Sequence, residues 1–567
     1  MSPTSWVKPG CALLLLVSLS ACAKSPVLPA AEALSLPVVQ QELTSQVIYQ
    51  VLLGEIASQR GELKLSAEAY TDLAARTRDA GVAKRATEVA LYARLSTVAL
   101  KNARLWQELD PKSPKALQTL SSLLIGAGRL TEAKPYLQAW IKTGKADVMF
   151  MQLHGVLARQ KDKQAVFDLV ADLAADYAAV PEARFATAQA AWQAGNSMNA
   201  LAELDEVMRL KPRWSAAPLF KAQVLQQAQG EPAALAFFQD YLAAEPSERD
   251  VRLAYAKLLA RSARFDESRS QFEWMAKEMP DNPENYLAIG LIAMQTKDMD
   301  SAEANMNKAL QLGHPDEGSV RFHLGQLAEA RGRNEQALTW YQSVTKGRQK
   351  MDAQLRAGII MSKLGRIDQA LAWLANIEAD DDAARVQVAQ AEAQIMRDSK
   401  NYAGALEVLT KALENMPDTP DLLYDRAMAA EKVGRLDMLE TDLRRLIELK
   451  PDFAHAYNAL GYTLADRTPR LQEAIELLKK ALDLAPDDPF ILDSMGWALF
   501  KSNRFDEAIA FLRRAHDAKP DPEIAAHLSE ALWMHGEKLE AKQILQGALQ
   551  TFPDNEVLRE SAARLLP

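Results

Sequence analysis

Residues Phe490 to Pro520 read FILDSMGWALFKSNRFDEAIAFLRRAHDAKP, and the spacing of small residues in this stretch decides the fold. Ala508 is its centre: Gly496 stands twelve residues before it, Ala515 seven after and Pro520 twelve after. On two antiparallel helices, residues without bulk at such points let the backbones approach where the helices cross. Pro520 has no amide hydrogen and cannot continue the second helix, so the chain turns there.

The Ala508 position recurs at steps of about 34 residues. Upstream it falls at Ala474, Leu439, Ala405, Ala370, Ala337, Ala302, Ser268, Ala234, Ala200, Ala165, Ala133, Ala99 and Ala67, and downstream at Ala541. Proline follows twelve residues later at Pro111, Pro212, Pro246, Pro280, Pro417, Pro451, Pro486, Pro520 and Pro553. Twelve residues earlier stand Ala188, Ala222, Ala256, Gly290, Gly325, Gly358, Ala393, Ala427, Gly496 and Ser529, with Gly461 filling the place after a one-residue shift. These offsets resemble the tetratricopeptide repeat (TPR). They predict an all-α chain, a right-handed α-α superhelix of about fifteen TPR helical hairpins. One hairpin cannot bury its apolar face, and stacked neighbours share a continuous core. Trp106, Trp140, Trp497 and Phe505 are assigned to that core, and strand-type alternation is nowhere sustained.

Two features depart from the pattern. Leu439 is too large for its place and is expected to distort its hairpin. In the first four repeats Glu55, Thr87, Ser121 and Leu153 occupy the earlier small position, and two steps shrink to 32 residues. Residues 41–180 are therefore expected to form irregular TPR-like repeats and residues 181–567 a regular superhelix, with Arg559 to Pro567 part of a capping helix.

The N-terminus lies outside this ladder. Lys8 precedes an apolar run from Ala12 to Leu19, too short to span a bilayer, as in a secretory signal. Its exit, Leu19-Ser20-Ala21-Cys22, resembles the lipobox of bacterial lipoproteins. That resemblance implies a signal peptide over residues 1–21 and lipidation of Cys22. Residues 22–40 hold three prolines and form a tether from lipid to body. Ala23 after the cysteine favours the outer membrane, on its periplasmic face, under the enterobacterial sorting rule. Cys11 lies in the removed segment, so the mature chain has no cysteine pair.

Composition narrows the function. A formal charge of -9 and no basic stripe argue against nucleic acid, and 48% hydrophobic content argues against disorder. The histidines form no HExxH or other metal-ligand spacing, and no nucleophile elbow or phosphate loop occurs. The chain is expected to have no enzyme activity, cofactor or metal.

What remains is surface. In TPR domains generally, positions two, five, nine, twelve and thirteen of the first helix face a concave groove. Carried onto this sequence, they are Phe490, Asp493, Trp497, Phe500 and Lys501 in one repeat. In the repeat before, they are His455, Asn458, Tyr462, Ala465 and Asp466. Groove-facing Asn458 and Asp493 would hydrogen-bond an extended partner, and the aromatics would supply contact area or pack on the next helix.

Beyond the generic repeat, several segments resemble a family of proteobacterial outer-membrane TPR lipoproteins. They are Val51 to Ala90, NALGYTLADRT (Asn458 to Thr468), ILDSMGW (Ile491 to Trp497) and DPEIAAHLSEALW (Asp521 to Trp533). Characterised members of that family are adaptors of a periplasmic carboxy-terminal processing protease, to which they present cell-wall hydrolases. The resemblance implies that protease and peptidoglycan hydrolases as partners, with self-association possible. The competing reading is a structural scaffold for envelope assembly, export or cell-wall synthesis.

Overall fold

The computed structural model describes residues 44–566. Cys22, the leader before it and the tether after it lie outside the described residues. Every regular element among those described is helical, thirty-one α-helices and one 3-10 turn. The expected all-α fold of stacked hairpins is what the chain adopts.

The chain divides into two compact units, Met1–Ala234 and Leu235–Pro567. In the first unit the helices are α1 (Ser45–Gln59), α2 (Leu63–Thr77), α3 (Ala80–Tyr92), α4 (Ser96–Leu109), α5 (Pro114–Gly126), α6 (Leu130–Lys142), α7 (Ala146–Leu157), α8 (Lys163–Ala174), α9 (Pro181–Gln193), α10 (Ser197–Leu210) and α11 (Ala216–Gln229). Helix α12 (Glu231–Ala244) starts in the first unit and ends in the second. The second continues with α13 (Arg249–Arg261), α14 (Phe265–Glu278), α15 (Pro283–Gln295), α16 (Met299–Gln311), α17 (Glu317–Ala330), α18 (Asn334–Gln342), α19 (Lys350–Lys363), α20 (Ile367–Ala375), α21 (Asp382–Asp398) and α22 (Tyr402–Asn415). It closes with α23 (Pro420–Lys432), α24 (Leu436–Leu449), α25 (Ala454–Arg467), α26 (Leu471–Leu484), α27 (Pro489–Lys501), α28 (Phe505–Ala518), α29 (Pro522–His535), α30 (Lys538–Thr551) and α31 (Glu556–Leu565). Odd-numbered helices from α1 to α29 are the first of each hairpin and even-numbered ones the second. The expected capping helix is α31.

The α27–α28 hairpin shows why this sequence folds so. Asp488 caps α27, its carboxylate accepting from the amides of Phe490 and Ile491 at 2.9 and 3.1 Å, and Pro489 occupies the first helical position. Asn503, at φ 58°, turns the chain in the left-handed region, and the Arg504 amide reaches back to the Leu499 carbonyl at 2.9 Å. Ala508 is fully buried. A Cβ added to Gly496 would sit 2.5 Å from Leu512 Cγ and 3.1 Å from the Ala508 carbonyl oxygen, so the two backbones touch. Lys519 then ends α28, and Pro520 follows it.

Most of the ladder is buried as expected, and two rungs move by one residue. In the first hairpin the left-handed turn residue is Gly61; Ser66 and Ala67 are both fully buried, but Ser66, five places after the turn, is the one that meets the facing helix. Its hydroxyl donates to the Gly54 carbonyl at 2.7 Å, the same contact that Ser268 makes to Ala256 at 2.8 Å. Gly54, not Glu55, is therefore the facing small residue. In the fourth hairpin Val166 is the buried residue and Ala165 is partly exposed. Leu153 faces it, and with two large side chains there α7 and α8 do not close on each other; both pack on α9 instead.

Leu439 does not distort its hairpin. It is 1% exposed opposite fully buried Ala427, and α23 and α24 pack closely. One small partner suffices. Trp106, Trp140 and Trp497 are buried in the core, while Phe505 is half-buried against Phe500.

Candidate protein-binding site

First helices α25, α27 and α29 carry the groove positions of the late repeats. Counted from each helix start, Asn458 and Asp493 share the fifth place, while Tyr462, Trp497 and Glu530 share the ninth. The structure draws several of these into one polar–aromatic cluster.

At its centre, both carboxylate oxygens of Asp493 lie 3.0 Å from Nδ1 of His527, and both side chains are 8% exposed. The imidazole stacks on the Trp497 ring, centroids 4.1 Å apart at 18°. The indole N–H of Trp497 donates to Asp466 Oδ1 at 3.1 Å, and Lys501 Nζ lies 3.5 Å from the same oxygen. Lys501 also sits 5.0 Å from the Trp497 ring centroid, a cation–π contact. Tyr462 on α25 reaches past α27 to donate to Glu523 Oε1 on α29 at 3.1 Å. One side chain thus spans two repeats.

Electrostatics fixes the protonation of this cluster. Burial alone would lower the His527 pKa, but Asp493, with help from Glu523 and Glu530, holds it above its ordinary value. The Tyr462 phenol is raised by burial first and then by Glu523 and Asp466, so it stays a donor.

The other sequence-derived candidates are placed differently. Phe490 is 43% exposed, with Lys519 Nζ 4.1 Å from its ring centroid. His455 is exposed beside Phe453, and Phe500 stacks on Trp497 at 5.0 Å. Ala465 is buried. The Asn458 Oδ1 is buried without a hydrogen-bond partner among the described residues. Asp493 and Trp497 therefore brace neighbouring repeats and Lys501 is held by Asp466, whereas Phe490 and His455 stay exposed at the surface.

Sequence reasoning missed Glu523 because the groove positions were carried only onto α25 and α27, although Glu523 holds position two of α29, and it missed His527 because that residue holds no groove place. His527 stands at position six, on the flank turned toward α27. A signal existed: Asp493 and His527 are separated by 34 residues.

The same first-helix face carries a second polar node at α17 and α19. Glu329 accepts from Tyr341 at 2.9 Å, Arg356 at 3.0 Å and Lys363 at 2.9 Å. Burial opposes its charge, but the Lys363 and Tyr341 hydrogen bonds prevail and hold its pKa below the usual carboxylate value. It borders a depression of ≈ 520 Å³ whose apolar wall is Phe322, Leu355 and Ile359. Among the described residues no group of three or more His, Cys, Asp or Glu is placed to hold a metal ion, and no helix is long and apolar enough to cross a membrane.

Comparison with known proteins agrees with this architecture. Tetratricopeptide repeat models match residues 470–532, and also 253–313, 287–352 and 440–489. The chain is 32% identical over 486 residues to TPR repeat-containing protein PA4667 of Pseudomonas aeruginosa, covering 85% of this chain and 82% of that one. It is 31% identical over 110 residues to small glutamine-rich tetratricopeptide repeat-containing protein 2 of Mycosarcoma maydis, covering 19% of this chain and 31% of that one. A tetratricopeptide repeat protein structure from Parabacteroides merdae aligns with a TM-score of 0.35 at 14% identity, over 50% of this chain and 99% of that one. The chain belongs to the tetratricopeptide-repeat family and is a protein–protein interaction scaffold.

Proposed function

We propose that the chain is an adaptor, anchored through Cys22 to the periplasmic face of the outer membrane. It binds a carboxy-terminal processing protease and presents cell-wall hydrolases to it. One observation carries this reading. The late segments that resemble the adaptor family, Asn458–Thr468, Ile491–Trp497 and Asp521–Trp533, are separate in sequence but supply Tyr462, Asp466, Asp493, Trp497, Glu523 and His527 to one cluster. Generic helix packing needs only the small residues, so these polar and aromatic choices serve something further.

The described surface is large enough for two partners. In the second unit the late cluster and the depression beside Glu329 lie on different first helices, α25 to α29 and α17 to α19. Holding protease and substrate on one chain raises the effective concentration of each for the other.

Affinity purification of the lipidated protein from solubilised envelopes tests the reading. A carboxy-terminal processing protease is expected in the eluate, and deletion of the gene is expected to raise the level of peptidoglycan hydrolases. Recovery of a synthase or export complex without the protease, with hydrolase levels unchanged, would favour an assembly scaffold instead. For the anchor, Cys22→Ser should move the protein from the membrane to the soluble periplasmic fraction.

A further inference from the structure

We infer that the crevice between α13 and α15 receives one large apolar side chain of an extended partner polypeptide, whose neighbouring main-chain carbonyl takes the Asn285 amide. The inference rests on the scaffold role of the family and not on the protease reading.

Asn285 is the starting point. It is 3% exposed, and its Nδ2 is buried with no hydrogen-bond partner among the described residues. The place it fills, five residues before the small residue Gly290, is held elsewhere in the second unit by apolar residues, Val251, Val320, Ala353, Val388, Leu422, Ala456, Ile491 and Ile524, all buried except half-buried Val388. Those positions show that an aliphatic side chain is what packing demands. An unpaired amide donor there costs the free chain stability and returns nothing until an acceptor arrives.

The surroundings define the acceptor's carrier. Asn285 lines a cavity of ≈ 420 Å³ floored by Phe272 and Met275 of α14 and flanked by Leu253 and Ala288. It exists because α13 and α15 do not close on each other as α25 and α27 do. The volume lies at the lower end of the ~300–1,000 Å³ of ligand pockets, room for one large side chain and its main chain. Arg249 and Lys257 at the mouth are balanced by Asp250 and Glu284, so no net charge selects an ion. An apolar group carrying a neutral acceptor fits, and a peptide unit supplies both.

The cavity's orientation favours a polypeptide. Leu253 and Lys257 stand three residues before and one after the small residue Ala256, as Asp493 and Trp497 stand about Gly496. The crevice therefore opens on the first-helix face that also carries the late cluster.

A phage-displayed random decapeptide library, panned on the full chain, tests this. Enriched peptides should share a large apolar residue. Each should bind Asn285→Leu and Ala288→Trp at least about tenfold more weakly than the parent. Asn285→Leu should melt no lower than the parent, because leucine is the residue type that packing asks for there. Failure to enrich any peptide would overturn the inference. So would peptides that bind both variants as tightly as the parent, or peptides lost only on Trp497→Ala. Panning uses no protease, so failure of the adaptor reading would leave this result standing.

Discussion

In the α27–α28 hairpin Gly496 meets Ala508 and the two backbones touch, whereas in the α7–α8 hairpin Leu153 and Val166 hold the corresponding places and the backbones stay apart. The first pair is specified by the absence of bulk. The second is held by side chains that fill the gap and lean on α9. One architecture thus tolerates both solutions, but they fail in opposite ways. The tight hairpin cannot accept a larger residue, and the loose one cannot lose a large one.

The largest effect should come from breaking the tight hairpin. In Gly496→Val the new Cβ meets Leu512 at 2.5 Å and the Ala508 carbonyl at 3.1 Å, and that carbonyl is backbone that cannot rotate away. A loss of about 3 kcal/mol or more is expected in urea unfolding followed by tryptophan fluorescence. In the loose hairpin the opposite change should hurt. Leu153→Ala removes a side chain that is 1% exposed and should cost about 2.5 kcal/mol, while volume-conserving Leu153→Ile should cost less than about 1.5 kcal/mol. Equal penalties for an enlarging substitution at Gly496 and at Leu153 would erase the distinction between the two.

A smaller effect belongs to the brace between α27 and α29. His527 has a raised folded pKa because Asp493 faces it. Its contribution is fully present below the unfolded value near ~6.5 and disappears as pH rises through the folded pKa. Asp493→Asn should cost about 2 kcal/mol at pH 6 and remove that pH dependence. Stability curves of parent and variant that stay parallel from pH 5 to pH 9 would exclude an ionised pair.

The same contrast explains what the sequence made legible. Small residues in register announce a hairpin wherever backbones must touch, and so fifteen hairpins could be counted without coordinates. The register failed where neighbouring residues were equally eligible. Ser66 and Ala67 are both small and both buried, and only Gly61, with its left-handed turn five places before Ser66, settles which one meets the Gly54 backbone. Ala165 attracted the reading because it is alanine, yet Val166 is buried, and the shortened step before it was the clue. Side-chain chemistry between repeats was harder to read. Asp493 and Tyr462 were visible as groove residues, but their partners His527 and Glu523 are chosen by the rotation of α29 against α27, which no spacing within one helix encodes. Asn285 passed unnoticed because its oddity appears only when its buried place is compared across hairpins.

The smallest effect lies on the outer surface, where packing plays no part. Glu440 on α24 accepts from Arg470 at 2.8 and 2.9 Å and from Arg444 at 2.7 Å. The Arg470 hydrogen bonds, with those of Arg444, hold its pKa down to about 2 against the opposing cost of burial. A depressed carboxylate stabilises above its unfolded pKa and loses that contribution as pH falls toward 2. Glu440 is 29% exposed and solvent screens it, so Glu440→Gln should cost only about 0.5 kcal/mol at pH 7. Above 0.5 M salt the cost should fade, because ions screen a surface network within a few ångströms. The Gly496→Val penalty has no charge in it and should persist in the same salt. Urea midpoints of the two variants at low and high salt therefore separate what holds the hairpins together from what decorates them, and a Glu440→Gln cost that survives high salt would place this network among the former.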